Sequence, residues 1–292
     1  MKKFWLFLLT ALTLIVLAAC GSDEVKEAEG AATDSAETTT STTVDQIKEN
    51  GKIRVAVFSD KPPFGYVDEN GKNQGYDIVL AKRVAKDLLG DENALELVLT
   101  EPAARVDLLK SDKVDLVLAN FTVTPERSEQ VDFAHPYMKV AIGVVSPEGA
   151  LVTTVEELKD KKLIVVKGTT AEAYFLKNHP DIELLKFDQN TEAFEALKDG
   201  RGEALAQDNA LLFGWANSNE GFKVALSSVG DVDYIAPAVQ KGNEALLTWV
   251  NEELETLFAE GFFTKAYDET LKPAFGNDIK VENVIVEEVL TK

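Results

Sequence analysis

The segment ANFTVTPERSEQVDF, residues 119–133, closes an apolar run at Asn120 and follows it with Thr122, Thr124, a Pro-Glu pair and Arg127. A guanidinium just past a strand end offers a planar donor fork that matches a carboxylate. A free amino acid carries a carboxylate and an ammonium on one carbon, so burying it takes a donor fork for one group and an anion for the other. Arg127 supplies the fork. Backbone N–H groups of Thr122 and of Thr170, the latter at the start of a helix, add donors. Asp208, at the end of a later strand, accepts the ammonium, and the Thr122 hydroxyl and an Asn120 carbonyl oxygen complete that set. Each residue also has a plainer use. An arginine after Pro-Glu serves as a solvated charge, Asp208 before Asn209 as a helix N-cap, and Thr169 with Glu172 as a capping box.

Other chemistries find little support. His135 lies between Ala134 and Pro136, and His179 sits at a helix end before Pro180, the ordinary place for a positive side chain. With two histidines and one cysteine, neither an imidazole-based nor a thiolate-based metal centre is expected. No phosphate loop, dinucleotide fingerprint or Ser-His-Asp ordering occurs, so no cofactor is called for. The formal net charge of −20 disfavours nucleic acid and anionic lipid surfaces.

The elements that must position these residues alternate. KIRVAVF reads as a buried strand, YDIVLAKRVAKDLLG as a helix stopped by Gly90, ALELVLT as a strand, AARVDLLKS as a short helix and VDLVLANF as a strand. A second alternating set runs from KVAIGVVS through KKLIVVKG, TAEAYFLKNH, IELLKF, TEAFEALKDG and EALAQ to NALLFGWA. The expected fold is therefore α/β with two lobes, each a mostly parallel sheet flanked by helices. Ligands of such sheets bind beyond the carboxyl ends of strands. That singles out the loops FSDKPPFGY, NFTVTPER, KGTTAE and QDNA.

The N-terminus reads as an address. MKKFWLFLLTALTLIVLAAC has the basic start, apolar core and small residues of a secretory signal peptide over 1–19. LAAC is similar to a bacterial lipobox, which makes Cys20, the only cysteine, the lipidation site and the membrane attachment. Residues 20–45 form a polar tether too poor in large apolar side chains to fold alone.

Taken together, GYDIVLAKRVAKDL, VDLVLANFTVTPERSEQVDF and KGTTAEAYF resemble the extracellular solute-binding receptors of polar amino-acid ABC importers, over about residues 47–275. The resemblance implies a type II periplasmic-binding-protein fold with lobe one at 46–139 and 236–292, lobe two at 140–235, and crossing strands near 137–142 and 231–236. It implies that Arg127 holds the ligand carboxylate, with Thr122, Asn120, Gly168, Thr169, Thr170 and Asp208 around the amino acid. Phe58 and Phe64 belong to the loop that closes lobe one, Phe58 walling the ligand and Phe64 turned into the core. Gln207 finishes the second-lobe pocket and suits a small polar side chain. One departure is Val79, where the family's helix usually has an acid; it is expected to face away from the cleft. Three loops look closest to the cysteine-binding branch, with glutamate, aspartate or glutamine as alternative ligands. The partners implied are a permease and an ATPase on separate chains, reached by a monomeric, non-catalytic receptor. Two other readings of the scaffold are a cyclohexadienyl dehydratase-like enzyme and an amino-acid sensor.

Overall fold

The computed structural model describes residues 42–276, 279–286 and 288. The expected leader over 1–19, Cys20 and the tether up to residue 41 lie outside the described residues. The folded body is already engaged at Thr42, whose hydroxyl donates to Asp112 at 3.1 Å and accepts from Arg54 at 2.9 Å. A capping box at Thr43 then starts α1 (Val44–Asn50), so regular structure begins at Val44 rather than 46.

The first lobe contains β1 (Ile53–Phe58) and a small hairpin sheet of β2 (Asp60–Lys61), β3 (Gly65–Val67) and β4 (Asn73–Gln74). It continues through α2 (Tyr76–Leu89), β5 (Leu95–Thr100), α3 (Arg105–Lys110), β6 (Leu116–Val117), α4 (Pro125–Ser128) and β7 (Val131–Phe133). Helix α2 buries Ile78, Ala81, Val84, Ala85 and Leu88, an apolar stripe at three- and four-residue spacing, and ends at Gly90 in the left-handed conformation. Val79 is part-buried and packs on the same core. Gly75, just before α2, has φ 114°, and a Cβ there would stand 2.4 Å from the Phe64 carbonyl oxygen. That position admits only glycine.

β8 (Met138–Pro147) carries the chain into the second lobe. There follow β9 (Lys162–Val166), α5 (Thr170–Asn178), β10 (Glu183–Phe187), α6 (Asn190–Lys198), β11 (Ala204–Asp208) and α7 (Asn209–Asn217). The long strand β12 (Phe222–Ile235) returns to lobe one, which is completed by β13 (Ala238–Gln240), α8 (Glu244–Ala259) and shorter helices. The two sheets have the orders β5-β1-β6-β13-β7 and β10-β9-β11-β8-β12.

In each sheet four of the five strands run in one direction, as expected of a mostly parallel sheet, and one, β13 or β8, runs against them. In each, two neighbouring pairs are parallel and two antiparallel. The antiparallel pairs all involve β8 or β13, the strands that leave and re-enter a lobe. Strand–helix alternation foretells parallel neighbours but does not report such returns. The crossing strands pair with each other, Met138 opposite Ile235 and Val140 opposite Asp233. They are also tied to the chemistry-bearing loop: the N–H of Val123 donates to the Tyr234 carbonyl at 2.8 Å, and that of Ala236 to Phe121 at 3.1 Å. Among the described residues no helix is long and apolar enough to cross a membrane.

The strand expected over VDLVLANF is cut to Leu116–Val117. Leu118 still donates to the Ala56 carbonyl, but Asn120 then turns to φ 45° and the chain leaves the ladder. An asparagine tolerates that left-handed turn better than a branched residue does. The turn is what brings Asn120 and Thr122 to the cleft.

Candidate functional site

A cavity between the sheets is lined by Phe58, Lys61, Pro102, Arg105, Asn120, Thr122, Arg127, Thr169, Thr170, Gln207 and Asp208. Eight of the nine residues expected around the ligand, from Phe58 to Asp208, therefore meet around one space; the ninth, Gly168, does not line it, although its carbonyl accepts from Arg105 and Arg127. It lies at strand ends: Phe58 closes β1, the Gly168–Thr170 loop follows β9 and Asp208 closes β11. The cavity measures about 10 Å³, room for about one water molecule. The lobes are closed and their side chains touch.

Arg127 stands half-buried on α4. Its Nη1 donates to the Thr122 carbonyl at 2.7 Å, and its Nη2 reaches across to the Gly168 carbonyl at 2.8 Å. Its guanidinium carbon is 4.9 Å from the Phe121 ring centroid. Burial draws its pKa down to about 10, so it remains a cation at neutral pH. Asp208 caps α7 by position but makes no side-chain cap hydrogen bond. Its carboxylate instead accepts from Lys61 Nζ at 2.6 Å, a buried ion pair joining the lobes. Gln207 is also buried; its side-chain amide donates to Asn190, and its oxygen accepts from the Asp208 N–H. Thr169 caps α5 by accepting from the Glu172 N–H, while its hydroxyl donates to Val166. Glu172 reaches back to the N–H of Gly168, one residue earlier than a standard capping box.

Sequence reading passed over three residues. Lys61 is one, its ammonium 5.4 Å from the Phe58 ring centroid; burial pushes its pKa down. Arg105 is the second. It lies under the cavity, 3 % exposed, and donates to the carbonyls of Pro102, Ala119, Asn120 and Gly168. Its guanidinium carbon is 4.3 Å from the Phe121 ring centroid. Burial, then repulsion from Arg127, lowers its pKa. The third is Asp77 in the first turn of α2, fully buried, accepting from the Tyr137 hydroxyl at 2.8 Å and from the Asn120 N–H at 3.0 Å. The signal for Arg105 was its place four residues before Leu109 on the buried face of α3.

Asn120 differs from its neighbours in its side-chain bonding. Its side-chain oxygen and nitrogen are buried and make no hydrogen bond to any of the described residues, although the residue borders the cavity. Buried polar atoms are seldom left so, which sets Asn120 apart among the residues that line the cavity. Its main-chain carbonyl, expected at the ammonium, accepts from Arg105 Nη1 at 3.1 Å. Phe64 is fully buried in the main core, and Phe58 in the cluster beneath the cavity. His135 and His179 lie elsewhere: His135 Nε2 is 3.4 Å from Glu255, and His179 ends α5. No group of three or more metal-ligating side chains occurs among the described residues.

The profile of the bacterial extracellular solute-binding proteins, family 3, matches residues 53–272. The chain belongs to this family. Among solved structures, the solute receptor for L-cysteine of Neisseria gonorrhoeae is 59 % identical, with TM-score 0.83, covering 84 % of this chain and 100 % of that one. The cysteine-binding protein of Campylobacter jejuni is 57 % identical, TM-score 0.83, covering 84 % and 98 %. The glutamine-binding protein of a Bacillus subtilis ABC transporter is 34 % identical over 93 % of this chain and 98 % of its own length. The solute-binding family members share the type II two-lobed fold described above, and the cavity lies where its lobes meet.

Two expected results follow from this geometry. Gly168 has φ 73°, and a Cβ on it would lie 2.6 Å from the backbone of Ala103 in the opposite lobe. Gly168→Ala should therefore hold the lobes apart and weaken ligand binding by roughly 10- to 100-fold, the equivalent of about 1–3 kcal/mol of strain. Small-angle scattering should show the variant failing to compact when ligand is added; compaction equal to wild type contradicts this reading.

The second concerns Asp77, whose carboxyl is pushed by burial from an ordinary value of 3.8 up to about 7. The folded state thus binds the proton more tightly than the unfolded chain. The cost of ionising Asp77 is absent below about pH 4 and grows as pH rises toward 7. In Asp77→Asn that cost disappears, so the stability of the variant relative to wild type should improve by on the order of 4 kcal/mol between pH ~4 and pH ~8. Urea unfolding of both proteins across that range provides the check. A constant difference would mean that Asp77 titrates as an ordinary carboxyl.

Proposed function

We propose that the protein is an extracytoplasmic receptor of an ABC importer that captures a free polar L-amino acid, cysteine foremost, and presents it to a membrane permease. The observation that carries this reading is the meeting of Arg127, Asp208 and the unpaired Asn120 side chain at one closed cleft. The two receptors at 57–59 % identity are described as cysteine receptors, which favours cysteine over the alternatives.

Arg127 takes the α-carboxylate, helped by the N–H groups of Thr122 and Thr170. Asp208 takes the ammonium, with Asn120 and the Thr122 hydroxyl nearby. Phe58 walls the ligand and Gln207 lies beside its side chain. Lys61 already gives Asp208 a cation in the closed form. Entry of ligand therefore requires the lobes to part and Lys61 to yield its place, and closure then rests on the ligand's own contacts. Lobe one extends over about 46–139 and 236–292, lobe two over 140–235, with bending at the crossing strands. Lipidation at Cys20, after removal of residues 1–19, anchors the receptor at the outer face of the membrane. Permease and ATPase are separate chains, and the receptor acts as a monomer without catalysis.

Thermal-shift screening of the common L-amino acids, with cysteine kept reduced, tests the reading. Cysteine should give the largest rise in unfolding temperature. No rise with any amino acid would remove the proposal.

A further inference from the structure

The cavity holds more positive charge than a neutral amino acid can satisfy. Lys61 and Arg105 are each 3 % exposed, and Arg127 is half-buried at the rim. Against these three cations the cavity lining contains one carboxylate, Asp208, which Lys61 already engages. Among the described residues, the guanidiniums of Arg105 and Arg127 have only carbonyl oxygens and aromatic faces as hydrogen-bond and stacking partners.

The other charges facing the site do not close this gap. Asp77, behind Asn120, accepts from the Tyr137 hydroxyl and the Asn120 N–H, hydrogen-bonds neither Lys61 nor Arg105, and has its pKa held by burial up to about 7, so that it is only partly ionised at neutral pH. Asp233 on β12 is half-exposed and hydrogen-bonds neither guanidinium, and Glu126 beside Arg127 is exposed. In lobe two, Glu172 is paired with Lys186 and with the Gly168 N–H. A bound zwitterion adds one ammonium and one carboxylate, so it leaves the excess as it was. Buried cations lacking an anionic partner are costly.

We infer that the ligand is held with a second anionic group, on its side chain, so that it is bound as a species of net charge −1. For cysteine that group is the thiolate. The thiol proton passes to solvent buffer on binding, and the sulfur faces the cation set of Lys61 and Arg105. An amino dicarboxylate meets the same requirement with its side-chain carboxylate. Serine, glutamine and arginine do not meet it. This inference rests on the proposed capture of amino acids and specifies the charge of the ligand.

Calorimetry on the full chain, under reducing conditions, tests it with cysteine, serine, S-methylcysteine, aspartate and glutamate. Titration of cysteine at pH 7 in phosphate and in Tris, whose ionisation enthalpies differ, reads the proton count. Release of close to one proton is expected, since a free thiol with pKa about 8.5 is mostly protonated there. The association constant for cysteine should rise about tenfold per pH unit from 6 to 8, following the thiolate fraction. Aspartate or glutamate, ionised throughout, should show no such slope, and any contribution from Asp77 is common to both kinds of ligand. Serine and S-methylcysteine should bind at least about a hundredfold more weakly than cysteine. Tight binding of aspartate or glutamate in place of cysteine supports the same inference from the other source. Cysteine bound without proton release, or matched within tenfold by serine or S-methylcysteine, overturns it while leaving amino-acid capture intact. A protein that binds no amino acid overturns both.

Discussion

Arg127→Ala should lower the affinity for the captured amino acid by roughly three to four orders of magnitude and leave the fold in place. The size follows from what remains. The α-carboxylate would enter a closed cleft without its guanidinium fork, and sites with unmatched polar partners reject ligands by factors of about 10⁴. The variant also loses the bond from Nη2 to the Gly168 carbonyl, which spans the lobes. The fold is spared because Arg127 projects from the four-residue helix α4, none of whose residues is buried. Its thermal midpoint should move by no more than a few degrees. Arg127→Lys should recover part of the affinity, since an ammonium supplies charge but not the planar fork. Calorimetric affinity within tenfold of wild type for Arg127→Ala would contradict the carboxylate assignment.

Asp208→Asn should have the second largest effect, visible both with and without ligand. With ligand present, the amide cannot neutralise the ammonium, so binding of cysteine should weaken by at least about a hundredfold. The deaminated analogue 3-mercaptopropionate has no ammonium, and its affinity should change by less than about tenfold relative to wild type. Equal losses for the two compounds would reject the role at the ammonium. Without ligand, the substitution strips Lys61 of its counter-ion in a buried setting. Removing one member of a buried ion pair typically costs about 3–5 kcal/mol. Because this pair bridges the lobes, the cost can be relieved by opening, and the ligand-free variant should have a larger radius of gyration than wild type.

The sequence made one half of the site readable and hid the other. Arg127, Thr122 and Asn120 stand out because hydroxyls and a guanidinium at a strand end are poor choices for structure alone. Thr169, Thr170, Gln207 and Asp208 follow from the same logic in the second lobe, and all gather at the cavity. Lys61 is different. In SDKPP it looks like an ordinary solvated lysine, and its burial depends on β11 arriving from residues 204–208 to offer Asp208. Arg105 sits on a helix whose place was foreseen, yet its burial depends on the Phe121 ring, contributed from elsewhere in the chain. Asp77 was visible only as part of a motif; that it organises Asn120 and Tyr137 is a tertiary fact.

The same division governs the fold. Apolar periodicity announced α2 and the buried strand β1 almost to the residue. It overextended β6, because the run stays apolar through Phe121 while the backbone turns at Asn120. It did not report the reversed strands β8 and β13, whose orientation is decided by where the chain crosses between lobes.

A crystal structure of the protein grown with reduced L-cysteine tests the central claim most directly. The account predicts the amino acid between the lobes, its carboxylate within hydrogen-bond distance of Arg127 and its ammonium on Asp208, with the Lys61 ammonium displaced from that carboxylate. Cysteine seated elsewhere, or Arg127 turned outward to solvent in the complex, would contradict it.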